Sequence, residues 1–161
     1  MTTYIHYGSD KFDKEKFGKI KNQEYPWVKP DHDSGLWASR VDAKYPWKKW
    51  CEDEEFNIDE LTKSFKFTIS PSANIYTIAK PDDVIGLPDH IDEDYDRSYT
   101  HQKYIDFEKC VELGIDAIEI VDIRGKNPNY RFGDFTVYDT LYGWDCDSIL
   151  ILNPDIIETV A

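Results

Sequence analysis

The chain has 161 residues, with 19 basic and 32 acidic side chains that give a formal net charge of −13 at pH 7. This length suits one domain with its own hydrophobic core, and an aromatic content of 15% excludes a disordered chain. The negative charge disfavours nucleic acid and anionic membranes as partners and favours a protein, above all a basic one. We therefore predict a single folded domain over residues 1–161.

The three cysteines, Cys51, Cys110 and Cys146, form no CxxC pair and no metal-ligand spacing with the four histidines. Such a pattern is typical of a reducing compartment. The first residues carry no basic region and no apolar segment of a secretory signal, and no apolar run is long enough to span a membrane. We expect a cytoplasmic protein without a bound metal, in which residues 31–33 form a solvated turn.

The first half of the chain predicts two strands and a helix. The run Tyr4–Ser9 predicts a strand that ends in a Gly-Ser turn, and the segment 10–22 predicts a charged helix or turn. A second strand is predicted over Gly35–Ser39. A helix is predicted to follow it, with Trp47, Trp50 and Cys51 on one face. Both tryptophans are expected in the core.

Two segments in the middle of the chain alternate between apolar and polar residues. Ser64–Ile69 has this period of two, and Asn74–Ile78 repeats it. The turn-forming residues 71–73 lie between them, so an antiparallel hairpin is predicted. A short helix is expected to begin near Pro81 and to end by Gly86.

The last third of the chain contains a polar segment, a helix and further strands. Residues 89–100 are rich in acids and predict a surface loop, and residues 101–113 have helical spacing. Strands are predicted over 115–121 and 135–138, and the apolar run 148–152 is typical of a central strand. Mostly strands with a few short helices indicate an α+β fold rather than a ladder of βαβ units.

Several segments, taken in order, resemble the ADP-ribosyltransferase superfamily, whose members split NAD between nicotinamide and ribose. The residues that carry the first two motifs are His6-Tyr7-Gly8-Ser9 and Gly35-Leu36-Trp37-Ala38-Ser39. The middle hairpin and short helix of the family resemble residues 65–69, 74–78 and 80–84. Residues 113–118 and 148–156 resemble the approach to a later strand and the closing strand. The resemblance implies split antiparallel sheets with short flanking helices.

The resemblance also implies that NAD is the substrate and assigns residues to it. His6 would donate a hydrogen bond to a ribose hydroxyl of the adenosine half, and Tyr7 or Trp37 would stack on the nicotinamide. Gly8, followed by Ser9 in the same motif, would let the backbone approach the dinucleotide. The last assigned residue is Ser39, which would bond either a ribose or the catalytic carboxylate.

The chain departs from the family pattern at its catalytic acid. Ser148 occupies the position at which a glutamate begins the closing strand, and the nearest acids are Asp147 and Asp145. Cleavage of the nicotinamide bond builds positive charge on the ribose, which requires a fixed carboxylate. We predict Asp147 for this role, with Asp145 as the second candidate; the alternative is that both residues only cap a turn.

Three functional hypotheses follow from the sequence. The first is an NAD-dependent mono-ADP-ribosyltransferase-like enzyme that modifies a macromolecule, as toxins and factors in conflicts between phages and their hosts do. The second is an inactive protein of the same fold that binds NAD, ADP-ribose or a related nucleotide, or that inhibits a basic protein partner. The third is a structural protein on this scaffold, because fold does not fix function.

Overall fold

The computed structural model describes residues 1–24, 29–79, 81–89, 105–122, 131–132, 135–136 and 144–159. Its strands are β1 (Tyr4–Tyr7), β2 (Leu36–Arg40), β3 (Ser64–Ile69), β4 (Ile75–Ile78), β5 (Ala117–Ile120), β6 (Arg131–Phe132), β7 (Phe135–Thr136), β8 (Ser148–Ile151) and β9 (Ile157–Thr159). Its α-helices are α1 (Trp47–Glu54) and α2 (Phe107–Glu112). Short 3₁₀ helices lie at Lys14–Lys16, Ile58–Thr62, Pro81–Gly86 and Pro154–Ile156. The predicted α+β class is confirmed.

Seven strands form one curled sheet in the order β4-β5-β8-β2-β1-β3-β9, and β6 pairs with β7 separately. Strands β4 and β5 run parallel, and every other neighbouring pair in the sheet is antiparallel. A parallel pair needs a crossover connection, and α2 lies in the segment between these two strands. The apolar run of β8 is central, as predicted, because it lies between β5 and β2.

The predicted hairpin between the third and fourth strands is wrong. Both edges of β3 are taken by other strands, since it pairs with β1 on one side and with β9 on the other. The backbone of Asn74, just before β4, instead joins Asp116, just before β5, through hydrogen bonds of 2.8 Å. These contacts between residues distant in sequence decide the pairing, so β4 is an edge strand of the sheet while β3 lies beside the other edge, with four strands between them.

The alternation of side chains along the buried strands places an apolar cluster on each face of the sheet. Ile118 and Leu150 belong to the cluster that packs under α2, together with Ile78, Ile105 and Phe107. Ile149 and Ile151 point to the opposite face. That second cluster also contains Tyr4, Ala38, Phe67, Ile69, Ala117 and Ile156. Both faces of the central strands are therefore covered.

Of the two alternatives predicted for the segment 10–22, a helix or a turn, the structure contains the turn, as the 3₁₀ helix Lys14–Lys16. One expectation about a helix needs correction. Trp47 and Trp50 are only partly buried, because α1 is short and of its residues only Cys51 is buried. The predicted acidic loop lies outside the described residues from position 90 onward, as do residues 101–104 of the predicted helix and residues 137–138 of a predicted strand. None of the helices in the described part of the chain has the length and apolar character needed to cross a membrane.

Candidate functional site

A cleft opens where β1 and β2 separate. These strands pair at Tyr4 with Arg40 and at Ile5 with Ser39, and their pairing stops there. One residue further along β1, His6 Nδ1 lies 2.7 Å from the backbone carbonyl oxygen of Trp37. An imidazole hydrogen bond thus joins the strands beyond the end of their ladder, and the side chains around it line a cavity.

The contact with Trp37 determines how His6 can act. A carbonyl oxygen only accepts, so the neutral ring carries its hydrogen on Nδ1 and leaves Nε2 as an acceptor. Burial lowers the pKa of His6 below 6.5, and this effect outweighs the hydrogen bond to Trp37 and the charge of Glu60, which act in the opposite direction. His6 is therefore neutral at pH 7. In this tautomer the free Nε2 accepts a hydrogen bond, so the predicted contact with a ribose hydroxyl would run from the hydroxyl to His6.

The cavity has a volume of about 360 Å³ and aromatic walls. Such a volume falls within the range of small-molecule sites. The aromatic residues that line it are Tyr7, Trp37, Trp47 and Trp144. The rings of Trp37 and Trp144 meet edge to face, with centroids 4.9 Å apart and planes at 73°. Walls of this kind favour a flat ring as the ligand.

One carboxylate in the cavity is paired with a lysine. Asp145 Oδ2 lies 3.4 Å from Lys29 Nζ, and the side chains of Lys29 and Asp145 are 34% and 30% exposed. The same ammonium group lies 5.8 Å from the centroid of the Trp37 ring. The cleft therefore holds a cation between an aromatic face and a carboxylate, which is an arrangement that binds cationic ligands elsewhere.

A second carboxylate, that of Glu60, lines the same cavity. It belongs to the 3₁₀ helix that precedes β3, and its charge acts on His6. Cys146 also lines the cavity, but burial raises the pKa of its thiol to about 12. A thiol with this pKa is protonated at neutral pH, so Cys146 is excluded as a nucleophile.

Asp147, the first candidate for the catalytic carboxylate, is not among the residues that line the cleft. Its buried Oδ2 accepts a hydrogen bond of 3.1 Å from the Tyr45 backbone amide. Ser39 is buried beside it and donates to the Asp147 carbonyl oxygen over 2.8 Å. The same hydroxyl accepts from the amide of Trp47, the first residue of α1, over 3.0 Å. Both side chains hold the fold together in this structure, and Asp145 is the one of the two predicted acids that faces the cavity.

Gly8 and Ser9 line a neighbouring groove of about 610 Å³, which shares His6 with the cleft. Gly8 has φ of 111°, a conformation that side chains rarely adopt, and its amide donates to the Lys63 carbonyl oxygen over 2.9 Å. Of the residues predicted for binding, the structure thus brings His6, Tyr7 and Trp37 into the cleft together with Asp145, and it puts Gly8 and Ser9 next to it.

Sequence reasoning missed Lys29, Glu60 and Trp144. Lys29 and Glu60 lie in segments without a motif, and their position in the cleft depends on the path of the chain. Trp144 did carry a signal, since it directly precedes Asp145 and so had to lie near that acid.

A second cavity, of about 300 Å³, is lined by the ion pair between Arg40 and Glu119. Glu119 is 2% exposed, and both of its carboxylate oxygens accept from Arg40, with the Nε to Oε2 distance at 3.1 Å. Burial first, and then the Glu119 charge, raise the pKa of the adjacent Tyr4, which stays protonated. We call this cavity the Arg40 pocket.

The turn at Asp31, His32 and Asp33 brings three possible metal ligands within 4.8 Å of one another. The imidazole lies 3.2 Å from Asp31 Oδ1 and 3.3 Å from Asp33 Oδ2. Because His32 and Asp33 are exposed and Asp31 is partly so, the group has the character of a solvated turn.

Comparison of the chain with protein-family models, with curated proteins and with solved structures gave no match in any of the three. The resemblance drawn from the sequence stays a prediction, and the function has to be argued from the geometry of the cleft.

Proposed function

We propose that the chain is an ADP-ribosyltransferase-like protein that binds NAD in the cleft, cleaves the bond between nicotinamide and ribose, and passes ADP-ribose to a macromolecular acceptor. The observation that supports this most is that His6, Tyr7, Trp37 and Asp145 line one cavity where β1 and β2 separate. The nicotinamide half of the dinucleotide suits the aromatic cleft of about 360 Å³. The other half has the adjoining groove of about 610 Å³ available to it.

The charge of the nicotinamide ring matches the place that Lys29 occupies. The ring is a flat cation in NAD, and the Lys29 ammonium group already lies against Trp37 and beside Asp145. A cationic ring can take the same position when the flexible lysine side chain turns away. The displaced lysine is then free to contact the diphosphate.

In the proposed reaction, Asp145 is the carboxylate that lies beside the ribose. The bond between ribose C1′ and nicotinamide breaks, its electron pair leaves with the neutral nicotinamide, and positive charge develops on the ribose. Asp145 stabilises this charge, and His6 Nε2 accepts a hydrogen bond from a ribose hydroxyl. The acceptor then forms the new bond to C1′. We assign the removal of its proton to Glu60, an exposed carboxylate that lines the same cleft.

The proposal is tested by incubating the pure protein with NAD and a cell lysate and by measuring released nicotinamide and transferred label. We expect Asp145→Asn to lower both by about 100-fold or more, because a preorganised charge at the reacting centre is lost. Asp42→Asn is the matched control, since Asp42 is exposed and lines the Arg40 pocket instead. Absence of both products with the unchanged protein, or equal activity of Asp145→Asn, would contradict the proposal.

A second candidate function is nucleotide binding without cleavage. It is favoured by Ser148 at the position of the family's glutamate and by the lysine that already pairs with Asp145. Calorimetry separates the possibilities. Binding of NAD or ADP-ribose without nicotinamide release supports a protein that sequesters the nucleotide. Failure to bind either compound favours an acidic inhibitor of a basic protein partner.

A further inference from the structure

Three aromatic side chains, two of them half-buried and one exposed, form a cluster next to the cleft, which we call the aromatic patch. Trp47 and Trp50 stack with centroids 5.1 Å apart and planes at 15°. The Phe56 ring packs edge-on against both, at 6.1 Å and 5.5 Å. Phe56 is still 45% exposed, and nearby Ile58 is 44% exposed. Apolar surface of this kind, gathered in one place, marks an interaction site more often than scattered single residues do.

The backbone holds Phe56 in place. The residues on either side of it, Glu55 and Asn57, are both left-handed, with φ of 54° and 48°. Its amide donates to the Cys51 carbonyl oxygen over 2.9 Å, which fastens the turn to the end of α1. Left-handed residues other than glycine are disfavoured and concentrate at functional positions. The exposure of Phe56 is thus fixed by the local fold.

The aromatic patch has an acidic rim. Six acids occur between positions 52 and 60, all of them exposed: Glu52, Asp53, Glu54, Glu55, Asp59 and Glu60. Lys48 and Lys49 form ion pairs with the first two of these acids. Within the described part of the chain, the other four form no ion pair, so the segment that carries Phe56 keeps uncompensated negative charge.

We infer that the aromatic patch and its acidic rim dock a basic, arginine-bearing segment of a protein partner. Guanidinium groups stack on indole and phenyl rings, and the surrounding carboxylates add attraction and orientation. Aromatic residues are also the usual anchors of protein interfaces.

The patch is continuous with the cleft, because Trp47 and Glu60 line the cavity as well. A segment that docks on the patch therefore has its neighbouring residues at the mouth of the cleft. We take the docked segment to be the acceptor of ADP-ribose, and this assignment rests on the proposed function.

The test is fluorescence anisotropy of a short labelled peptide of alternating arginine and serine, titrated with the full chain. We expect Phe56→Ser and the double variant Glu54→Lys/Asp59→Lys each to weaken binding about tenfold. The first control is Leu113→Ser, which removes another exposed apolar side chain, 58% exposed, at the end of α2. The second control is Glu112→Lys/Glu158→Lys, which makes the same change of net charge away from the patch. Both controls are expected to stay within twofold of the unchanged protein.

The inference is overturned if the second control weakens binding as much as the rim variant, since general charge would then explain the attraction. It is also overturned if Phe56→Ser binds as the unchanged protein does. The circular dichroism spectrum of each variant is first compared with that of the unchanged protein. If Phe56→Ser does not fold, the rim variant, which changes only exposed side chains, still decides whether the patch binds the peptide.

The two proposals fail separately. Docking is measured without NAD, so tight and patch-dependent peptide binding without any nicotinamide release supports the docking surface and removes the proposed reaction. Nicotinamide release and peptide labelling that are unaffected by Phe56→Ser and by the rim variant leave the reaction in place and remove the docking surface.

Discussion

The cleft and the Arg40 pocket each contain a carboxylate, and the surroundings of the two carboxylates differ. In the Arg40 pocket, Glu119 is almost fully buried and accepts two hydrogen bonds from Arg40. In the cleft, Asp145 stays partly exposed, and its partner Lys29, at 3.4 Å, is partly exposed as well. A carboxylate enclosed by fixed partners stabilises the fold, whereas one that keeps solvent access and a displaceable partner is available to a ligand.

The largest effect on stability is expected from breaking the enclosed pair. Arg40→Met leaves the buried Glu119 charge without its partner, and we expect a loss of about 3–5 kcal/mol in the free energy of unfolding. Urea unfolding followed by tryptophan fluorescence measures it. The control is Lys44→Met, which breaks an exposed pair with Asp122 and is expected to cost about 1 kcal/mol or less. Equal effects of the two variants would mean that burial does not set the Arg40–Glu119 pair apart from an exposed ion pair.

A smaller effect on stability is expected from replacing Asp147, and it tests the contrast between Asp147 and Asp145. Asp147→Ala removes an acceptor of the Tyr45 amide in a buried place, so unfolding should become easier by about 1–3 kcal/mol. Nucleotide binding by the folded protein should not change. Asp145→Ala should do the opposite, with a loss of binding and a stability change under about 1 kcal/mol. Calorimetry and urea unfolding of both variants check this, and the reverse result would restore Asp147 as the functional acid.

The smallest effect concerns pH and His6. Burial lowers the pKa of His6 in the folded chain below 6.5, so the unfolded chain binds more protons as the pH falls through this range. Protonation of His6 therefore lowers the free energy of unfolding below about pH 6.5 and has little effect at higher pH. Between pH 7.5 and 5.5 the free energy of unfolding of the unchanged protein should fall more than that of His6→Gln does. A larger loss for His6→Gln would mean that the folded state favours the charged ring.

The strands were predictable from sequence where side chains alternate or form an apolar run, as in Ser64–Ile69 and in β8. Their partners were not, because pairing depends on contacts such as that of the Ser70 amide with the Ile156 carbonyl oxygen at 2.8 Å. Residues so far apart in sequence meet only when the whole sheet forms. The local pattern around Pro71 describes a turn correctly but says nothing about where the chain goes next.

For the candidate site, too, the residues on strands could be predicted from the sequence, whereas the choice of the functional acid could not. His6, Tyr7 and Trp37 lie on strands whose positions follow from local pattern, and all three line the cleft. The choice between Asp145 and Asp147 was not available from sequence. It depends on which of the two side chains the Tyr45 backbone engages, and Tyr45 is about a hundred positions away.

The hydrogen bond from His6 to the Trp37 carbonyl oxygen has a consequence for the width of the cleft. An imidazole spans more space than a direct contact between two backbones, so the ring works as a spacer between the strand ends. The opening therefore exists before any small molecule arrives, and no strand has to be pulled away from its neighbour to admit one. The residue at position 6 therefore sets the width of the cleft opening as well as one contact inside it. Shorter side chains at this position should narrow the opening even for compounds that do not contact the histidine.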